Sequence, residues 1–372
     1  MNRIGETIQS EALFFYRGRV ALYVILKALG LGNQDQVATQ AFTCIAVPEA
    51  IMATGARPVY VDLEPNGFNM DAGDLERKIT PQTRAIVVQH TYGIPADMEG
   101  ILRVAQQAGL PVIEDCCHTL ASEYKGKLLG TFGVASFYSF EWGKPIVAGI
   151  GGSAVINDVA LRDQVHVLYD NYRFPGAASQ ARIQLQYYAF RLLFRPSLYW
   201  PVRSLFHWLG SIGVAESNYN PIQEGSAAED FSLKMPGPLQ ERLARQLQRL
   251  EAQTHHSRWV ASEYRSRIQS AVVAHSVLPA DSDTVFARYP LVTQEKAALL
   301  AAARRANVEL SEWYATPVHP IEDRDWSLIH YVAGSCPNAE VRCKQVVTLP
   351  THPAVKKRDI ERTVQFLNHI SL

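Results

Sequence analysis

Residues Pro111–His118 read PVIEDCCH, and residues Ser136–Asp158 read SFYSFEWGKPIVAGIGGSAVIND. Each opens on an apolar, β-branched or aromatic run and then turns polar, the pattern of a strand buried on both faces followed by its carboxyl-end loop. Working outward, ARPVYVDL (Ala56–Leu63) and RAIVVQH (Arg84–His90) repeat it. Amphipathic stretches such as Val37–Thr54 and Met98–Ala108 stand between these runs. Alternation of this kind predicts βαβ units and an α/β fold with a mainly parallel sheet. In such sheets ligands bind beyond the carboxyl ends of the strands, and His90, Asp115, His118 and Ser139 stand at or near those ends.

A chain of 372 residues with 47% hydrophobic content can bury a large core and is long for one domain. The expected division is a large domain over 1–250 and a small α+β domain over 251–372. A long charged helix from about Leu239 to Ile268 would bridge them. FARYPLV (Phe286–Val292), a helical stretch over Thr293–Ala306, VTLP (Val347–Pro350) and an amphipathic helix over Lys357–His369 would build the second domain. Lys+Arg and Asp+Glu both number 36, so no overall field draws the chain to nucleic acid. The 5 cysteines show no metal-type spacing, which suits a reducing cytoplasm and argues against a metal centre. Neither a signal-type apolar core in MNRIGETIQSEALFF nor a membrane-spanning run is apparent.

The two opening segments and the turn at Gly18/Arg19 hold the parts that pyridoxal phosphate (PLP) chemistry needs. A lysine must bond the cofactor and later move a proton; Lys144 is the candidate. A carboxylate at the end of a buried strand must keep the pyridine nitrogen protonated, and Asp115 closes LPVIED. Hydroxyls and the N–H groups of a helix start must hold the phosphate; Ser139 and the Gly18/Arg19 turn opening RVALYVILKAL fit that need.

In order and spacing these pieces resemble the DegT/StrS family of sugar aminotransferases over most of the chain. GRVALYVILKALGLG (Gly18–Gly32), GARPVYVDLEP (Gly55–Pro65), HTYGIPADMEGI (His90–Ile101), the two opening segments and CPNAEVRCKQVVTLPTHPAV (Cys336–Val355) follow the family's order. The resemblance implies a fold type I large domain with a seven-stranded sheet, a smaller C-terminal domain, and a homodimer with its active sites near the subunit interface. It implies that Lys144 carries the Schiff base, Asp115 pairs with the pyridinium, Ser139, Gly18 and Arg19 hold phosphate, and His118 lies beside the cofactor. Phe42, in AFTCIAVPEAIMATGA, is the choice for an aromatic plate over the ring, with a core role as the other reading. Family members that dehydrate tend to carry histidine in place of the lysine, so Lys144 implies transamination, with glutamate as donor and a nucleotide- or lipid-linked keto sugar as acceptor. Such chemistry serves surface polysaccharide, glycolipid or amino-sugar biosynthesis. A non-sugar carbonyl substrate, or an inactive membrane-associated scaffold of the same fold, are the alternatives.

Several positions depart from the family. The loop after the lysine reads Gly149-Ile150-Gly151-Gly152 where a glutamate is usual, and FSLKMPGPLQ has Ser232 where the partner-subunit segment carries asparagine, with Lys234 nearby. Arg17 and Arg19 replace small hydroxyl residues, to serve an anion or as a solvated pair. His319 and Tyr314 in SEWYATPVHP, and His90 with Tyr92, are the candidates for substrate contact. Residues 171–215 hold no Asp or Glu but carry Arg173, Arg182, Arg191, Arg195 and Arg203 among many aromatics. This start of a helical insert (about 171–230) reads either as an in-plane membrane-surface element at the inner face of the membrane or as a helical insert packed on protein.

Overall fold

A computed structural model describes residues 3–193, 195–211 and 229–371; residues 212–228, within the expected insert, lie outside the described residues. Its centre is a seven-stranded sheet in the order Leu13–Phe15, Gly152–Ile156, Ala135–Ser139, Val112–Asp115, Thr83–Gln89, Gln36–Gln40, Arg57–Val61. The last five are parallel; Gly152–Ile156 alone runs against them, and Leu13–Phe15, antiparallel to it at the edge, points the same way as the five. Nearly every residue of the Thr83–Gln89 and Val112–Asp115 strands is buried, as parallel strands covered by helices on both faces require. The expected α/β architecture with a mainly parallel seven-stranded sheet is therefore the one observed.

The Gly18–Ala28 helix buries almost its whole circumference through Val20, Leu22, Ile25 and Leu26, because it is threaded under the sheet. Met98–Ala108 is a helix to its expected bounds; Asp97 caps its first turn by accepting the Gly100 N–H at 3.1 Å, and Gly109 ends it at φ 65°. Val37–Thr54 divides differently from the expectation. Gln36–Gln40 is a strand between two parallel neighbours, and helix begins only at Ala46. Small residues satisfied both patterns, and pairing on both sides decided the outcome.

Downstream, a three-stranded antiparallel sheet joins Ala274–His275, Arg288–Val292 and Val346–Pro350, with the Lys357–His369 helix also as expected. The single helix expected over Leu239–Ile268 is two, Gly237–Leu247 and Leu250–Arg267. Leu239, Leu243 and Leu247 belong to the cluster around Phe140 and Ile146, whereas Val260, Ala261 and Tyr264 belong to the cluster around Tyr289 and Leu349. The break at Gln248–Arg249 lets one segment serve both. That second cluster also takes in Phe42, Tyr92 and Tyr314, and Thr43–Cys44 pairs in parallel with Val318–His319 in a separate two-stranded sheet, so the C-terminal part is joined to the segment that follows the Gln36–Gln40 strand. Within the insert, Ala177–Leu193 and Tyr199–Ser211 are helices; the Trp200 indole N–H donates to the Val308 carbonyl at 2.9 Å.

Candidate active site

Asp115 ends its strand between Gln89 and Phe137, and its Oδ1 accepts the Cys117 N–H at 2.9 Å. Burial pushes its carboxyl above the usual carboxylate range, against the pull of the Cys117 N–H and of the Lys144 charge. Lys144 sits in the loop that follows the Ala135–Ser139 strand. That loop folds back on itself: Phe140 N–H donates to the Gly151 carbonyl and Ala148 N–H to the Phe140 carbonyl, both at 2.8 Å. The Lys144 ammonium lies 4.9 Å from the Trp313 ring centroid and makes no hydrogen bond or ion pair with a described residue.

His118 is enclosed in aromatic surface. Its Nδ1 accepts the Tyr92 backbone N–H at 3.4 Å, so the neutral ring carries its proton on Nε2, which faces the Tyr314 hydroxyl at 3.2 Å. The Trp313 ring stands 4.4 Å away. Burial, and then the neighbouring Lys144 charge, drive the imidazole well below its ordinary pKa, so it stays neutral at physiological pH.

The start of the Gly18–Ala28 helix meets the end of the Ala135–Ser139 strand. A Cβ on Gly18 would come 3.0 Å from the Ser139 Cβ and 3.2 Å from the Tyr138 carbonyl, and one on Gly152 would lie 2.4 Å from the Gly18 nitrogen. Only glycines allow this approach. Arg17, the N-cap, supplies no side-chain cap; the Val20 N–H donates to the Arg17 carbonyl at 3.2 Å, and the start of this 11-residue helix stands beside Ser139. Arg17 and Arg19 are neither a solvated pair nor idle cations. Both are buried; Arg17 pairs with Glu141 at 3.3 Å and Asp230 at 3.1 Å, and Arg19 pairs with Glu49.

Other expectations fare differently. Phe42 is fully buried among Phe68, Tyr92 and Tyr314, which is the core reading; the thiol of this segment that feels the Lys144 and Arg19 charges belongs to Cys44. The Phe42 N–H donates to the Pro317 carbonyl at 2.6 Å, just before the Thr43–Cys44 pairing begins. Ser232 is exposed, in a turn whose neighbour Leu233 accepts the Tyr16 N–H at 3.0 Å. His90 is committed elsewhere: its Nε2 meets Glu114 at 3.2 Å, and Glu114 also accepts the Gly130, Phe132 and Gly133 N–H groups at 2.6–2.8 Å. With Cys116 these two form a compact donor set, yet each carboxylate oxygen already has protein partners, as expected of a structural knot. His319 Nδ1 accepts the Ala315 N–H at 3.3 Å within its own turn. Trp313 was not singled out by sequence; its neighbour Tyr314 was, and only the pairing of 43–44 with 318–319 reveals that the indole reaches Lys144.

A sequence model of the DegT/DnrJ/EryC1/StrS aminotransferase family matches residues 9–187 and 238–368. The chain is similar to the pleiotropic regulatory protein of Geobacillus stearothermophilus, 29% identical over 364 residues, covering 95% of this chain and 84% of that one. It is also similar to GDP-perosamine synthase of Escherichia coli O157:H7, 46% identical over 147 residues, a match spanning 40% of each chain. Among solved structures, S. venezuelae DesV superposes with TM-score 0.73 at 24% identity over 97% of this chain and 86% of that one. The sugar aminotransferase CalS13 from Micromonospora echinospora gives 0.70 at 22% over 95% and 86%.

Proposed function

From a chain that belongs to the DegT/DnrJ/EryC1/StrS aminotransferase family, whose members depend on PLP, we propose an enzyme that moves an amino group from glutamate to the carbonyl carbon of a nucleotide- or lipid-linked keto sugar. The observation that carries the reading is the Lys144 amine, uncommitted among the described residues, within charge reach of both the buried Asp115 and the neutral His118.

These residues fit the cofactor. Lys144 would bond it, Asp115 would face its ring nitrogen, His118 would lie beside the ring, and Ser139 with the Gly18/Arg19 turn would take its phosphate in the glycine-lined approach. Bound PLP supplies an electron sink for the pair left behind when a proton leaves the carbon bearing the amino group. A buried carboxyl that is hard to ionise alone gains most from a cationic partner, which suits Asp115 to a protonated ring nitrogen. The Lys144 amine would take the proton from that carbon and hand it to the cofactor's carbonyl carbon within the same half-reaction, and would carry a proton the opposite way when the keto sugar is aminated. Because His118 stays neutral, it adds no competing positive charge, and its Nε2 proton is held toward Tyr314.

The enzyme works in this reading as a homodimer, with a large domain over 1–250 and a small one over 251–372, and with Ser232 offered to the partner's phosphate site. Residues 171–215 make its contact with the inner face of a membrane. Among the described residues no helix is long and apolar enough to cross one. The decisive test is the visible spectrum after adding PLP. The natural protein should show a lysine-dependent band that glutamate bleaches, and Lys144→Ala should lack it. A band that persists in Lys144→Ala would overturn the assignment.

A further inference from the structure

The Ala177–Leu193 helix is apolar on two opposite sides. Its inner row is anchored to the loop that carries Lys144. Ile183 is buried there, Phe190 lies 4.7 Å from Trp142, and the Arg242 guanidinium covers the Tyr187 ring at 3.6 Å while donating to the Ala148 carbonyl at 2.7 Å. The outer row is Ala181, Leu185, Tyr188 and Leu192, at the 4-3-4 spacing that keeps side chains on one helix face. Leu185 is 74% exposed, Tyr188 57% and Leu192 70%. Helices of water-soluble surfaces put charge on that side; here Leu185 and Leu192 stand largely in solvent, and the Tyr188 ring has the Arg242 guanidinium 5.8 Å from its centroid at the border of the row.

The charge around the row selects an occupant. Arg182, Arg191 and Arg195 are exposed, and no Asp or Glu occurs between residues 171 and 215. A second copy seated here across a two-fold axis would set Arg191 and Arg195 near their own counterparts, with no acid from residues 171–215 to oppose them. Anionic headgroups complement both features at once: leucines and tyrosine enter the acyl boundary and the arginines stay among phosphates. The family match also stops at residue 187 and resumes at 238, so this stripe runs into a stretch the family's shared chemistry does not require.

Resting on the peripheral contact read above, we propose that the outer face of the Ala177–Leu193 helix docks the enzyme flat on an anionic lipid bilayer through Leu185, Tyr188 and Leu192, with Arg182, Arg191 and Arg195 on the headgroups. Because the inner row grips the Lys144 loop, docking holds the active-site loop close to the bilayer.

Flotation of full-length protein, loaded with PLP, tests this with phosphatidylcholine vesicles and with the same vesicles containing phosphatidylglycerol. Binding should appear only with phosphatidylglycerol and weaken at high salt. The pairs Leu185→Glu/Leu192→Glu and Arg191→Glu/Arg195→Glu should each lower the bound fraction roughly tenfold or more. Both variants should keep the visible band of the natural protein, so loss of binding is separated from unfolding and from failure of the aminotransferase reading. Absence of flotation with either vesicle, or flotation unchanged in both variants, overturns the proposal. So does a natural protein that fails to float but loses an oligomer by light scattering in Leu185→Glu/Leu192→Glu, which would assign the face to a second copy.

Discussion

The segment from Pro111 to Gly152 and the helix from Ala177 to Leu193 touch each other, yet they answer to different demands. In the first, nearly every polar group has a fixed place. Glu114 takes three backbone N–H groups, Asp115 takes one, and glycines bring a helix start against Ser139. In the second, one face is packed and the other carries leucines and tyrosine in solvent. Chemistry needs positions to within fractions of an ångström, so it selects particular residues. A surface contact needs only an apolar stripe and a sign of charge, so it selects a composition. Breaking each region should therefore give effects of different size and kind.

The largest effect belongs to Lys144. Lys144→Ala removes both the covalent attachment and the proton carrier, and turnover measured by amino-sugar formation should fall by at least about 10⁴-fold. Asp115→Asn keeps shape but loses the charge; turnover should drop about 10²–10³-fold, with weakened PLP retention on dialysis. The pH dependence has a definite sign. Burial raises the Asp115 pKa, so in the free protein protonation begins above the usual carboxylate range. Only the ionised form pairs with a positive ring nitrogen, so PLP affinity in the natural protein should decline as pH falls through that raised value. Asp115→Asn should lack this decline, and an equal decline in both proteins would assign it to another group.

Trp313 extends the contrast to the C-terminal part. Its indole lies against both Lys144 and His118, so it bounds the space in front of the amine. Trp313→Ala should raise the KM for the keto sugar about tenfold, the scale of one lost aromatic contact, while glutamate still bleaches the band at near its natural rate. Trp313→Phe should recover most of the affinity. If Trp313→Ala instead abolishes the band, the indole serves the cofactor and not the acceptor.

How much was legible follows the same division. The strands Arg57–Val61, Thr83–Gln89, Val112–Asp115 and Ala135–Ser139, the Met98–Ala108 and Lys357–His369 helices, and the strand-end places of Asp115 and Ser139 were readable because each lies within a run whose local pattern matches its final structure. The surroundings of Phe42 were not legible, because the residue type fits both a plate over the ring and a core position, whereas its neighbour Tyr314 stands beside a segment that pairs with Thr43–Cys44 from some 275 residues away. Trp313 escaped notice for the same reason. Arg17 and Arg19 read either as anion contacts or as a solvated pair, and not as buried ion pairs, because their partners Glu141, Asp230 and Glu49 are separated in sequence from them by 30 residues or more. The break at Gln248–Arg249 was invisible because both halves have good helix formers, and only the two core clusters call for a change of direction.

The smallest effect lies within one helix and sets its two faces against each other. Ile183 is buried against the Lys144 loop, where a Cβ on Gly149 would come 3.4 Å from its methyl group, so Ile183→Ala leaves a cavity and should cost about 2–4 kcal/mol in denaturant unfolding. Leu185, two positions on and 74% exposed, has nothing beneath it to lose; Leu185→Ala should change stability by less than about 0.5 kcal/mol in vesicle-free buffer. The loop connection adds a second readout. Loosening the inner row should also weaken the grip on the chain around Gly149, so Ile183→Ala should lower PLP retention while Leu185→Ala leaves it unchanged. Equal stability losses at the two positions would mean that Leu185 is covered in solution by protein, and would move the outer row from a lipid contact to a protein interface.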